Sequence, residues 1–355
     1  MGSQKNLMLL VLVLFLLSEC RAFASENVGN LYTFGDSSVD PGNNDYIPTY
    51  ARSNFAPYGQ NFPHRVATGR FSNGLLFPDF LANYLGAATY QRPYLAPNLD
   101  ITKSPTAISF ASAMSGYDPR TANKTKAIQM GEQLEYFKQY KAKLQKKVGR
   151  KKADNQIAKA LYYVGAGSDD FAFTHFREVK GVRWRRSPQE YDQYLLPFIL
   201  EFLQGLMEQG ARKIAVSGVP PLVRFPVVNI TLIPTNSRTS QIEYVNTILG
   251  DFNSLLRVAL KELQSKWPGT KISYIDFEEP LLHIIQKPDD YGFTEVSKTC
   301  CGTMHNVVCV FCNPKKRVCA DPSKYVFWDA ARPTEKAYEI IFKSNVAAID
   351  ELIRS

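Results

Sequence analysis

Five short, largely apolar runs recur along the chain: Leu31 to Phe34, Thr106 to Phe110, Ala160 to Val164, Lys213 to Val216 and Lys271 to Ile275. Runs of this length bounded by turn residues predict strands, and near-continuous apolarity predicts strands covered on both faces. The intervening stretches carry helical spacing. Residues 67–86 place Leu75, Leu76, Phe80, Leu81 and Leu85 at helical intervals, and a second helical region starts near Gln129. A third, Ser187 to Gln209, opens on an N-cap serine with Pro188 in its first turn. The stretch from about Thr239 to Trp267 ends at the Pro268-Gly269 break, and Pro333-Thr334 opens a last helix running nearly to the C-terminus. Five strands alternating with helices predict an α/β fold built on a five-stranded parallel sheet. No Gly/Ser linker, long polar tract or internal repeat interrupts residues 25–355, which therefore read as one domain.

The first 24 residues break this pattern. Lys5 supplies a charged start, Leu7 to Leu17 is apolar, and Ala22-Phe23-Ala24 matches a small-x-small cleavage site, so residues 1–24 read as a signal peptide. The apolar run is too short to span a bilayer, and the mature chain is expected to be secreted. Asn123-Lys124-Thr125 and Asn229-Ile230-Thr231 are then candidate glycan acceptors. Of six cysteines, Cys20 leaves with the leader, while Cys300, Cys301, Cys309, Cys312 and Cys319 crowd one loop as a disulfide staple would. One of these five must stay free or pair elsewhere. A zinc site competes, but an oxidising compartment and the adjacent Cys300-Cys301 argue against it.

Candidate chemistry sits just past the first strand, in LYTFGDSSVDPGNN over residues 31–44. Gly35 and Asp36 end the strand in a turn, so Ser37 is presented at a strand's carboxyl end, where open α/β sheets bind ligands and where a hydroxyl is placed to act as nucleophile. The string resembles the opening block of the plant GDSL-type esterase/lipase family of SGNH hydrolases, in which this serine is the nucleophile. Further blocks recur in the family's order: ATGRFSNGLLFPDFLANYLG (67–86), ISFASAMSGYDP (108–119), GAGSDDF (165–171) and YVFWDAARPTEKAY (325–338). The resemblance implies a three-layer, flavodoxin-like SGNH fold, with oxyanion donors from the Ser37 turn and from Gly116. A cysteine loop opening with CCG is also found in the family, usually without a counterpart of Cys309, which implies that Cys309 is the unpaired thiol.

Two positions depart from the family pattern. Asp169 stands where an asparagine amide donates to the oxyanion, and an ionised carboxylate is acceptor-only. It could donate only if protonated, which needs a strongly raised pKa. In the final block, reading Asp-x-x-His-Pro in the family, Asp329 is present but Arg332 occupies the histidine position. A guanidinium stays charged and has no acceptor, so Arg332 cannot serve as a general base. The four histidines, His64, His175, His283 and His305, lie in no matching motif. The two changes compensate in charge, and Arg332 is expected to pair with Asp329, Asp169 or both, partly filling the cleft.

The formal charge of +9 is concentrated, chiefly in residues 138–152 and again in 177–186. Outside the cell a basic stretch can gather anionic wall polysaccharide or a membrane surface, although a solvated helix face is the plainer account. A leader and the lack of a recognition module exclude nucleic acid, and no phosphate-binding loop, HExxH or other cofactor motif is present, so no cofactor is expected. The leading reading is a secreted GDSL-fold protein with impaired hydrolysis that binds a lipid or small acyl ester, a wall component or a protein partner. The alternative is a working serine esterase, lipase or acyltransferase with a rebuilt proton path.

Overall fold

The computed structural model describes residues 29–87, 89–176, 187–231, 238–302, 312, 315 and 318–354. Residues 1–24, the 177–186 basic run, His305 and Cys309 lie outside the described residues. Strands β1 (Leu31–Gly35), β2 (Arg92–Pro93), β3 (Ala107–Ser109), β4 (Leu161–Gly165), β5 (Lys213–Ser217) and β6 (Lys271–Ile275) form one parallel sheet in the order β2-β3-β1-β4-β5-β6. The sheet thus has six strands, not the five expected. The additional one, β2, is two residues long and contains a proline, so it carries no periodicity and sits at the edge, where a missing N–H is tolerated.

Both faces of this sheet are buried, as the apolar runs require. In β4, Tyr162 turns to one side and meets Phe137 at 5.6 Å between ring centroids. Its neighbour Tyr163 turns to the other and stacks on Phe77 at 5.0 Å. Helices cover each side: α1 (Phe77–Tyr84), α2 (Met130–Val148), α3 (Arg150–Lys159), α4 (Pro188–Glu208), α5 (Arg238–Ser265), α6 (Glu278–Gln286), α7 (Glu335–Ser344) and α8 (Val346–Arg354). Among the described residues no helix is long and apolar enough to cross a membrane.

Several helix boundaries differ from the sequence expectation for local reasons. The 67–86 stretch is helical only over α1, because Gly69 adopts φ +94°, Gly74 lies against Glu335, and Pro78 suits a first turn. The basic helical region breaks at Gly149 (φ +85°) into α2 and α3. The C-terminal helix breaks at Asn345, whose amide donates to Asp276 O and Ile341 O. Ser187 caps α4 as expected, accepting from Glu190 N.

A second, smaller sheet escaped the sequence reading: β7 (Glu295–Thr299) pairs parallel with β8 (Tyr325–Asp329), which pairs antiparallel with β9 (Arg332–Pro333). It carries the final block to the large sheet. Beside it, Cys300 bonds Cys319 and Cys301 bonds Cys312, closing the cysteine loop as a local staple.

Three half-buried or buried carboxyls outside the site tie this fold to pH. Asp45, Asp192 and Glu335 are each pushed up to about 7, first by burial and then by a like charge nearby, Asp40, Asp251 and Glu339 respectively. Each binds its proton more tightly folded than unfolded, where carboxyls titrate near 4. Their contribution to stability is full below that value and is lost as pH rises through about 7. Glu295, held down at about 2, titrates below this window. Thermal melts are expected to show a higher midpoint at pH 5 than at pH 8, and a midpoint rising steadily over that range would contradict the assignment.

Candidate active site

The chain runs from β1 to strands on one side of it, then returns to β4 on its other side, so the sheet order reverses between β1 and β4. A crevice opens outside the carboxyl ends at such a point. Ser37 follows β1, and Asp169 follows β4. Gly35 ends β1 at φ +137°, and a Cβ there would lie 1.8 Å from Gly165 O. Only glycine permits that approach, which brings Asp36 N to 3.0 Å from the same carbonyl and fixes the serine turn against β4.

The rest of the opening block is scaffolding. Asp40 accepts from Gly42 N, Asn43 N and Ala113 N. Asn43 donates to Ser109 O and Ala111 O, and Asn44 to Ala51 O and Ala113 O. These bonds lash the serine loop to the exit of β3, the segment that carries Gly116. Asp170, beside Asp169, accepts from Tyr117 N (2.8 Å), Asp118 N (3.1 Å) and Thr121 Oγ1 (2.6 Å). A Cβ on Gly116 would lie 2.2 Å from Asp170 Oδ1. Gly116 is therefore required by the carboxylate that pins its turn.

Arg332 reaches the nucleophile. Its Nε donates to Ser37 Oγ at 3.1 Å, its Nη1 lies 3.5 Å from Asp329 Oδ2, and its guanidinium carbon stacks 4.6 Å above the Phe71 ring. Its Nη2 meets Met114 Sδ at 3.9 Å. Ser37, Arg332 and Asp329 thus form a line in which the guanidinium stands between hydroxyl and carboxylate. The line is sealed, with Arg332 and Asp329 each 1% exposed and Ser37 6%. Burial alone would lower the Arg332 pKa, but Asp329, Tyr58 and Asp169 outweigh it and hold the side chain charged. Burial pushes Asp329 up, against the pull of Arg332 and the Ala331 N–H. With Tyr58 and Ala331 donating to it at 2.9 Å each and Arg332 beside it, Asp329 is the anionic partner.

Asp169 behaves differently. Burial, reinforced by Asp36, pushes its carboxyl well above the usual range, against the opposing charge of Arg332. Its Oδ2 has no hydrogen-bond partner among the described residues. The raised pKa that a donating carboxyl at this position needs is thus supplied by the fold. Asp36 is itself pushed to about 6 by burial.

Sequence reasoning missed Tyr58. Its hydroxyl accepts from Cys312 N at 2.8 Å and donates to Asp329, so one loop residue joins the Cys301–Cys312 staple to the carboxylate behind Arg332. No local motif marks it; the contact spans 271 residues. Tyr58→Phe leaves a buried N–H without its acceptor and removes one donor from Asp329, at an expected cost of about 1–3 kcal/mol in urea unfolding. Phe71 and Met114, which flank the guanidinium, lie inside the 67–86 and 108–119 blocks, but nothing in those blocks marks this contact.

The remaining candidates lie elsewhere. Among the described residues, Ser37 Oγ pairs with Arg332 and with no histidine. His175 is buried and stacked 4.3 Å from Tyr191, His283 Nδ1 lies 2.6 Å from Tyr291 Oη, and His64 is exposed in a turn. Asn123 is exposed at the end of the short helix Pro119–Asn123, where its Oδ1 accepts from Gln129. Asn229 lies in the helix Pro226–Thr231, and its side chain is outside the described residues.

The cleft above Ser37 is small, about 40 Å³. Ser37, Asp36, Asp169 and Arg332 form its polar end, and Leu222, Phe225 and Leu281 are among its apolar walls.

The chain is similar to known proteins along most of its length. The model of the GDSL-like lipase/acylhydrolase family matches residues 31–344. GDSL esterase/lipase At5g45960 of Arabidopsis thaliana is 40% identical over 333 residues, covering 93% of this chain and 88% of that protein. GDSL esterase/lipase At2g40250 of the same plant is 37% identical, covering 93% and 92%. GDSL esterase/lipase APG, also from Arabidopsis thaliana, is 38% identical over 94% of each chain.

Proposed function

The chain belongs to the GDSL-like lipase/acylhydrolase family, and from that premise we propose that it is a secreted member whose acyl site is retained for binding while ester hydrolysis is largely disabled. The observation that carries this reading is the 3.1 Å bond from Arg332 Nε to Ser37 Oγ. A serine attacks an ester only if its proton has somewhere to go. Here the atom facing Oγ is itself an N–H donor on a permanently charged group, so one of the hydroxyl's two lone pairs is engaged and the base's place holds no acceptor for the proton. A positioned general base contributes about 10²- to 10⁴-fold, and that contribution is the expected deficit.

The remainder of the machinery supports a site that still receives an acyl group. Ser37, Gly116 and Asp329 stand at the positions the family's blocks give them, and burial pushes Asp169 toward the protonated form, in which its O–H takes the asparagine donor's place. Arg332 fills the base's place and leaves a shallow cleft, which fits a short acyl group entering from the mouth better than a long chain. The leader at residues 1–24 supports export, with Asn123 and Asn229 as glycan acceptors. Anionic polysaccharide or lipid headgroups would meet the 138–152 face, and a protein partner is a further candidate.

The test is labelling of the mature chain by a fluorophosphonate, beside hydrolysis of p-nitrophenyl butyrate. Little or no adduct at Ser37 is expected, with hydrolysis indistinguishable from that of Ser37→Ala. Stoichiometric labelling, or turnover that Ser37→Ala abolishes, would overturn the reading in favour of an active esterase.

A further inference from the structure

We infer that the cleft above Ser37 is a receptor for a short acyl carboxylate, the free acid rather than the ester. This rests on the reading of a disabled acyl site and names its ligand. Three features place complementary groups around a ready-made anion. The first is Arg332, a charged guanidinium held at the polar end of the cleft by Asp329 and Phe71. A planar guanidinium matches a carboxylate in shape and charge, whereas an ester offers it only a neutral carbonyl.

The second feature is a backbone donor in the wall of the cleft. The N–H of the cleft-lining residue Ser37 meets no acceptor among the described residues, while the neighbouring Asp36 and Ser38 N–H groups are paired. Buried N–H groups without partners are rare in folded proteins and mark a place where a bound group completes them. In a hydrolase such donors meet charge that develops during reaction. With no base to drive the reaction, the charge they can meet is one the ligand already carries.

The third feature is the state of the acidic neighbours, which would otherwise repel an anion. Asp329 already receives Tyr58 and Ala331 and balances Arg332. Asp36 Oδ1 receives both the N–H and hydroxyl of Ser38; its Oδ2, buried without a partner among the described residues, opposes an anion until it is protonated, and burial pushes that pKa up to about 6. Asp169, whose Oδ2 is unpartnered among the described residues, is pushed by burial toward the protonated form, in which it offers a carboxyl O–H. The apolar walls at Leu222, Phe225 and Leu281 receive the alkyl part, and the small volume restricts it to a short chain.

Isothermal titration of the mature chain with butanoate and with methyl butanoate tests this, with galacturonate as a carboxylate lacking an apolar tail. Butanoate is expected to bind at least about tenfold more tightly than its ester, the difference between a charge-assisted and a neutral bond. Galacturonate is expected to bind more weakly than butanoate. Arg332→His should remove the preference for acid over ester, and Arg332→Lys, which keeps the charge without the fork, should retain the order with reduced affinity. Thermal melts of both variants establish that they are folded. Equal binding of acid and ester, equal binding of galacturonate, absence of butanoate binding, or a preference unchanged in Arg332→His would each overturn the inference. A chain silent toward esters that also ignores butanoate defeats this inference alone, whereas Ser37-dependent turnover defeats the disabled-site reading itself.

Discussion

Arg332→His is expected to raise hydrolysis of p-nitrophenyl butyrate by about 10²-fold or more over the parent chain, the lower end of what a positioned general base contributes. The structure supplies the rest of the constellation. Asp329 already sits behind position 332, fixed by Tyr58 and Ala331, so an imidazole placed there finds a carboxylate for one ring nitrogen. Its other nitrogen faces Ser37 Oγ, which Arg332 Nε reaches at 3.1 Å. The smaller ring also vacates volume beside Phe71 and Met114, opening the cleft to substrate. Adding Ser37→Ala should return the rate to that of the parent. A folded Arg332→His variant with no gain would place the block elsewhere, with Asp169 next in line, and Asp169→Asn in the same chain would then show whether its O–H is an adequate substitute for an amide. Should the gain fall steeply as pH rises above neutrality in Arg332→His but not in Arg332→His/Asp169→Asn, loss of the Asp169 proton is the cause.

The second large effect concerns the block at residues 67–86. Arg70→Met is expected to destabilise the chain by about 3–5 kcal/mol, the usual result of removing one member of a buried ion pair. Arg70 binds Asp79 in a fork, Nε to Oδ2 at 2.8 Å and Nη2 to Oδ1 at 2.7 Å, with the side chains 4% and 0% exposed. Its Nη2 also donates to Gln91 O, and Nη1 to Thr68 Oγ1. Asp79 in turn accepts from Leu76 N and Gln91 N, capping α1 and holding the segment that leads into β2. Replacing both partners by apolar residues is often neutral for an isolated buried pair. Here it would orphan those two backbone donors as well, so Arg70→Met/Asp79→Leu should recover little. Urea unfolding of the parent and the two variants measures this, and a double variant as stable as the parent would show that the fork adds nothing beyond filling space.

These two predictions fall on opposite sides of what the sequence made legible. The strands β1, β3, β4 and β5 could be read because burial on both faces leaves largely apolar runs, as Tyr162 and Tyr163 pointing to opposite sides illustrate. The edge strand β2 and the sheet β7-β8-β9 could not, since two-residue strands have no period and Glu295 to Thr299 is polar. Ser37, Asp169, Asp329 and Arg332 were identifiable by their places in recurring blocks. The same blocks hid the work of Asp40, Asn43, Asn44 and Asp170, whose partners include Ser109, Ala113, Tyr117 and Thr121, all more than 45 residues away along the chain.

Residue type alone determined that Arg332 cannot accept a proton, because no environment gives a charged guanidinium a lone pair to offer. It also determined the parallel α/β plan, since the apolar runs have no other way to bury both faces. Whether Asp169 donates was not decided by its identity. That depended on how deeply it is buried and how near Asp36 and Arg332 approach, which are properties of chain packing. The link from Tyr58 to Asp329 and the reach of Arg332 to Ser37 likewise exist only once the fold brings together segments 271 and 295 residues apart. Sequence carries the chemistry each side chain is capable of, and tertiary structure sets the dielectric and the neighbours that select among those capabilities.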